Sequence, residues 1–518
     1  MATVLSATHG LLKITSPEAA QTFLGQLADL DPALRQAQLL TQLKLLAEAG
    51  IEGSARLQIL EMLLPTVLEA QHARSRECWG RPVPFDNDTR EIFERSVSLW
   101  RTLADAYESL IADMAGAAPE LAEHAEIICY RALRCTGFAM ITHNRAYHEV
   151  PGALWEQLHR LYAFAESADV TQLPVTEGAS GRSTVNLAYL QTVLTQRANP
   201  EALSLLQMMT VDRVLAQWVG LARISAEPVV ANRELALAVD LGSSEGTRRI
   251  KNLAGTNLRY LDLSGIGDKL RQAAVALKTQ SPDKLGLGLV SRELCEKLMM
   301  TLNGHWLMPG TARSDERKPM SFNVLISGTL AAMHINISGK PFAPPDAGLS
   351  SRARFDMAGF QRVDGPVGDA SVRSRTLEPW AVINQSASGG LGICSKPSSS
   401  TQLTHHQLLG LVAPNGNTYI GQVQRLAVDA QGTVLMGLKL LHTKVQAVAA
   451  RVANNDVAYD RALLLTAGPD EAPSIILAPG TYTPSRVLDM HDGLPHQIRL
   501  TALIDSGANF ERVTYTPA

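Results

Sequence analysis

The hydrophobic period changes once along this chain, and that change limits the folds open to it. Up to about residue 224, apolar residues recur at three- and four-residue steps, as in Leu39, Leu43 and Leu46 and again in Leu57, Leu60, Leu63 and Leu64. From residue 309 onward they alternate or run in short blocks bounded by Gly, Pro and Asp, the pattern of strands. Helices and strands with such different faces pack in separate layers, and a chain of 518 residues exceeds the roughly 250–300 at which a single core stops growing. The expected protein is therefore multidomain α and β, with an all-α N-terminal half, a small mixed α/β middle domain and β structure at the C-terminal end.

The helical half is well punctuated. Ser16-Pro17-Glu18 offers a cap, a proline at the first helical position and an early carboxylate, and Asp31-Pro32 repeats the device. Gly50 and Gly53 interrupt the pattern, and 78–88 reads as a Pro-containing loop. Helices are then predicted over about 89–115, 119–143, 153–166, 183–196 and 200–222. Short connections between so many helices imply a bundle or a helical-hairpin array over 1–224. Trp155, Leu158 and Tyr162 have the spacing that opens a tetratricopeptide repeat, but as a single unrepeated copy they read rather as a buried aromatic stripe in an ordinary helix.

Residues 225–308 mix the two patterns. Strands are expected near 235–241 and 258–263, and helices over 266–279 and 291–306. Beyond 309, strands are expected at 320–326, 333–337, 407–414, 418–428 and 433–441. Further short strands at 462–467, 474–478, 486–490, 496–503 and 510–516 suggest a second β module over 451–518.

Within the β region, Trp380-Ala-Val-Ile-Asn384-Gln-Ser386-Ala-Ser-Gly389-Gly390-Leu-Gly392-Ile393 reads as strand, tight turn, strand. Asn384 and Ser386 can bond their own backbone to start the turn, and the glycines allow φ > 0 or the close approach of a guest. Upstream, Arg313-Ser-Asp-Glu-Arg317-Lys318-Pro319 leads into the predicted strand at 320–326. Two arginines four apart before a strand, followed by (D/N)xSxxG at a later turn, resemble the signature of PilZ domains, the bacterial receptors for cyclic di-GMP. The resemblance implies a PilZ-like antiparallel β-barrel over 309–450, with Arg313, Arg317, Asn384, Ser386 and Gly389 as ligand-binding residues. Because 67 positions separate Arg317 from Asn384, it also implies an insertion, placed near 339–378.

The chemistry fits such a ligand. A cyclic dinucleotide presents two phosphates and two purine faces, and a guanidinium both forks onto phosphate and stacks on a base. The net charge of −3 supplies no global field for a nucleic acid polymer, so any anion would be held by local groups.

Other functions find less support. Five cysteines, at 78, 129, 135, 295 and 394, show no ligand spacing and read as reduced core residues. His405 and His406, placed on a strand, would point to opposite faces and could not share a metal. Ser281-Pro-Asp-Lys284 lacks the companion motifs of a serine acyl-enzyme. Gly242-Ser-Ser-Glu-Gly246-Thr-Arg248-Arg249 fits no phosphate-loop frame.

No catalytic residue, metal or cofactor is expected, and the protein is read as a non-enzyme. With neither a signal peptide nor an apolar run long enough to span a bilayer, a cytoplasmic location is expected, without membrane insertion. The resemblance implies a cytoplasmic cyclic di-GMP receptor whose nucleotide alters how the helical half meets a protein partner. A PilZ-like scaffold that binds no nucleotide, and a helical-repeat adaptor or chaperone-like protein with accessory β modules, remain the alternatives.

Overall fold

A computed structural model of the chain describes residues 11–177, 181–227, 236–250, 257–308, 317–345, 377–386, 389–395, 401–441, 444–454, 458–466 and 472–518. The chain divides into two compact units, one of Met1–Arg81 and Phe85–Ala312, the other of Pro82–Pro84 and Arg313–Ala518.

The first unit begins with eight α-helices: α1 (Pro17–Leu27), α2 (Pro32–Glu48), α3 (Gly53–Ser75), α4 (Asn87–Met114), α5 (Ala125–Arg145), α6 (Gly152–Ser167), α7 (Val185–Arg197) and α8 (Leu205–Trp218). The caps form as the sequence indicates. Ser16 Oγ accepts from Ala19 N, and the Asp31 carboxylate accepts from Ala33 N at 2.9 Å and Leu34 N at 3.2 Å. These bonds satisfy amides that have no partner within the helix.

Helix α5 packs against α4, α6 and α7, and it is accordingly buried on most of its surface. Trp155, Leu158 and Tyr162 are buried, the Tyr162 ring stacking on Tyr189 with centroids 4.0 Å apart and its hydroxyl donating to Asn186 Oδ1. They form a core stripe of this unit.

A short antiparallel hairpin, β1 (Val175–Glu177) and β2 (Gly181–Ser183), precedes α7. Helix α7 then starts at Val185, where Thr184 Oγ1 accepts from Leu187 N.

The mixed segment supplies β3 (Arg223–Ser225), β4 (Ala236–Asp240), β5 (Arg248–Ile250) and β6 (Leu258–Asp262), paired in the order β3-β6-β4-β5. The helices α9 (Ser264–Ala276) and α10 (Arg292–Trp306) follow. Instead of standing apart as the expected domain 225–308, this segment belongs to the same compact unit as the helices. Trp306 shows why: its indole is buried and donates to the Leu194 carbonyl of α7.

The second unit contains two closed antiparallel barrels, each six-stranded among the described residues. The first consists of β7 (Arg317–Ser327), β8 (Glu378–Ser386), β9 (Gly390–Cys394), β10 (Leu408–Val412), β11 (Thr418–Val428) and β12 (Val434–Leu440), closed in the order β7-β8-β9-β12-β11-β10. The second consists of β13 (Val445–Val452), β14 (Asp460–Leu465), β15 (Ser474–Leu477), β16 (Val487–His491), β17 (Pro495–Gly507) and β18 (Phe510–Pro517), closed as β13-β14-β15-β18-β17-β16.

Several expectations change here. The predicted strand at 333–337 is part of a helix, α11 (Leu330–Ser338), capped by Thr329 Oγ1 and closed by Gly339 at φ +71. Met333, Ile335 and Ile337 alternate in sequence, but α11 packs beside β10, β13 and β14, so apolar residues occur around it without a clean helical stripe. The expected boundary at 450/451 falls inside β13, where three alanines dilute the strand signal of three valines. Of the insertion expected near 339–378, residues 346–376 lie outside the described residues.

Burial explains how the two barrels share a unit. On β14 every residue from Ala462 to Leu465 is buried, because Ala462 and Leu464 face their own barrel while Leu463 and Leu465 face the first. The cluster between the barrels consists of Met333 from α11, Leu408 and Ile420 from the first barrel, and Leu463, Leu465, Ile476 and Phe510 from the second.

No helix among the described residues is long and apolar enough to cross a membrane. All five cysteines are free, and all but Cys394 are buried.

Candidate ligand-binding site

The candidate site is built on the outer face of the first barrel, where β7, β8 and β9 run side by side. The register pairs Arg317 with Ser386, Pro319 with Asn384, and Asn384 in turn with Gly392. Residues paired across a ladder point to the same face, so Arg317, Asn384 and Ser386 share one surface. The opposite surface carries Trp380, Val382, Leu391 and Ile393, all buried in the barrel interior. Irregularities at Pro319/Phe322 on β7 and Val382/Asn384 on β8 shift the alternation, so Val382 faces inward and Asn384 outward.

Arg317 and Asn384 meet. The Arg317 guanidinium donates from Nη1 to Asn384 Oδ1 at 2.6 Å, although 67 positions separate them in the chain. Ser386 closes the turn: its Oγ accepts from Gly390 N at 2.9 Å, and its carbonyl accepts from Gly389 N at 3.1 Å. Gly389 sits at φ +80, where a Cβ is strained, and its carbonyl accepts from Leu440 N on β12.

Replacing Gly389 by Ala is therefore expected to cost about 1–2 kcal/mol of stability in this unit, read from the urea midpoint. An unchanged midpoint would show that the turn relaxes around the methyl group.

The structure thus brings together Arg317, Asn384, Ser386 and Gly389. Arg313 lies outside the described residues. The next glycines complete the surface: a Cβ on Gly390 would lie 2.8 Å from Ser386 Oγ, and one on Gly392 would lie 2.5 Å from Asn384 Oδ1. Their alternation at 390 and 392 was visible in the sequence; which side chains would lie over them was not.

The two histidines need a correction. His405 and His406 are not on a strand but in the turn before β10, with His406 at φ +68 and the two rings roughly parallel with centroids 6.0 Å apart. His406 Nε2 instead hydrogen-bonds Asp505 Oδ1 of the second barrel at 2.7 Å, and Gln422 donates to Asp505 Oδ2 at 2.8 Å. Burial would raise the Asp505 carboxyl, but the bonds from His406 and Gln422 outweigh it and hold the group below its ordinary value. Among the described residues no group of three His, Cys, Asp or Glu side chains could hold a metal ion.

Comparison with known proteins adds a family. Residues 18–229 match the family model described as the N-terminal domain of the cyclic-di-GMP receptor FimW, and residues 445–518 match that of the FimW C-terminal β-barrel domain. Neither description names a PilZ domain, and the first barrel lies between the matched segments. No curated protein and no solved structure matches the chain. The C-terminal match coincides with β13 to β18, and the two matches together span more than half of the sequence. The chain belongs to the FimW family of cyclic-di-GMP receptors.

Proposed function

We propose that this protein is a non-enzymatic, cytoplasmic receptor that binds cyclic di-GMP on the outer face of its first barrel. The observation that carries this reading is the Arg317–Asn384 hydrogen bond, which joins the two halves of the PilZ-like signature on one surface. In the bound state Arg317 and Arg313 fork onto phosphate and stack on guanine. Asn384 offers both an acceptor and donors to a base edge, Ser386 adds a hydroxyl, and Gly389 holds the turn that presents them. With a net charge of −3 on the whole chain, attraction for the ligand comes from these local cations, so binding weakens as salt rises.

Signalling then requires a difference between bound and free states, because a ligand shifts an equilibrium only by what it gains in one state over another. In our reading the arginine-bearing segment closes over the nucleotide and changes what the helical half presents to a protein partner. Nucleic acid polymers play no part.

Titration calorimetry of the full chain with cyclic di-GMP tests the receptor reading. Wild type is expected to bind, and an Arg313→Ala/Arg317→Ala double variant to lose at least about 100-fold in affinity, since two charged contacts of about 1.5 kcal/mol or more each are removed. Equal behaviour of the two proteins sinks the site, and a silent wild type leaves a β scaffold. Partner capture that depends on the helical half yet ignores the nucleotide would favour the adaptor alternative.

A further inference from the structure

The strand register carries the ligand surface beyond the residues of the signature. Across β7, β8, β9 and β12 the pairs line up in two transverse rows. One row runs Arg317, Ser386, Gly390, Lys439, through the Arg317–Ser386 pair, the Ser386–Gly390 turn bond and the Gly390–Lys439 pair. The other runs Pro319, Asn384, Gly392, Gly437 and Arg425.

Both rows face outward. Leu391, Leu438 and Val423, which alternate with them, are paired with one another and buried. A Cβ on Gly437 would lie 3.3 Å from the Arg425 Cβ, which places that position on the outer face too.

The middle of this surface thus bears Gly390, Gly392 and Gly437 in place of side chains. Arg317 and Asn384 stand at one edge, with exposed Lys439 and Arg425 at the other. Glycine inside a strand weakens it unless something must approach the backbone closely. Ser386 Oγ lies over Gly390 and the Asn384 amide over Gly392, which leaves Gly437, between those side chains and the cations, as the backbone open to a flat anionic guest. Three inter-strand steps of about 4.8 Å put the Arg317 and Lys439 backbones roughly 14 Å apart, and both side chains are long enough to lean inward. A molecule with two phosphates and two purine faces spans such a gap.

We propose that Lys439 is a further ligand-binding residue, which meets the cyclic di-GMP phosphate remote from Arg317, and that the bare backbone at Gly437 forms the floor on which a purine lies. This rests on the receptor reading above and extends its site across β9 onto β12. Neither Lys439 nor Gly437 belongs to the signature.

The test is calorimetry of the full chain with cyclic di-GMP at low and moderate salt, on wild type, Arg317→Ala, Lys439→Ala, Lys439→Arg and Gly437→Val. Lys439→Ala is expected to weaken binding about 10-fold and to reduce its salt dependence, with Lys439→Arg retaining most of the affinity. Gly437→Val, a β-branched residue suited to a strand, is expected to keep the wild-type melting temperature while losing at least about 100-fold in affinity, because its methyl groups occupy the floor.

Wild-type affinity in both Lys439→Ala and Gly437→Val, with Arg317→Ala still defective, overturns the extension and leaves the receptor reading standing. Absence of binding in wild type overturns both. If Gly437→Val melts early, the decision passes to Lys439→Ala alone, whose side chain is exposed.

Discussion

Acidification is expected to destabilise the helical unit well before its carboxylates are fully protonated, because of His143. This residue is buried on α5, its ring edge-on to Phe93 with centroids 5.2 Å apart, and burial together with neighbouring His148 pushes its pKa down to about 3. In the unfolded chain the imidazole titrates near its ordinary 6.5.

Above that value His143 is neutral in both states, and its contribution to stability is complete. As the pH falls below 6.5 the unfolded state takes up a proton that the folded state refuses, and stability drops by about 1.4 kcal/mol per pH unit until about pH 3. By about pH 4.5 the loss reaches roughly 2–3 kcal/mol from this group alone. Burial lowers His148 and His159 as well, so they act in the same direction. Urea titrations followed by circular dichroism at 222 nm, run between about pH 7 and 4.5, read this slope from the helices. His143→Gln should flatten it by up to one proton, and an identical slope in the variant would show that another group controls acid stability.

The second large effect is expected at Phe510, where the two barrels meet. Its side chain is only 1% exposed and packs with Met333, Leu408, Ile420, Leu463, Leu465 and Ile476. Phe510→Ala removes an aromatic ring from a cluster whose members are held by two closed barrels, so the gap cannot collapse freely, and a loss of about 3–5 kcal/mol follows. Leu503 on β17 is 44% exposed, and Leu503→Ala should stay within about 0.5 kcal/mol. Denaturation curves of the two variants give the comparison. Similar small losses in both would mean that the barrels are held together by the polar contacts of His406, Gln422 and Asp505 rather than by this apolar cluster.

The same cluster shows how far pattern reading reaches. The all-apolar runs of β10, β14 and β15 were legible as strands, and their lack of alternation reflects coverage on both faces. What covers them was not legible. Helix α11 is the sharpest case: its caps, Thr329 and Gly339, were present in the sequence, yet the alternation of Met333, Ile335 and Ile337 pointed to a strand. A short helix packed between apolar neighbours keeps no polar face, and without that face the helical period disappears. Strand β13 was missed for the opposite reason, since alanines give little signal of either kind.

Local chemistry settled by residue type was determined by the sequence itself: the caps at Ser16 and Asp31, the tight turn at Gly389, the change from helical to strand period, and the presence of guanidinium and amide groups suited to a cyclic dinucleotide. Closure was decided only in three dimensions. Period 2 says which side chains share a face, but not which strand lies beside which. The pairing of β9 with β12, strands separated in sequence by β10 and β11, therefore had no local signature. That pairing puts Gly437 and Lys439 beside Gly390 and Gly392, and so a surface hinted at by five residues of the sequence became, through tertiary structure, a continuous face reaching from Arg317 to Arg425.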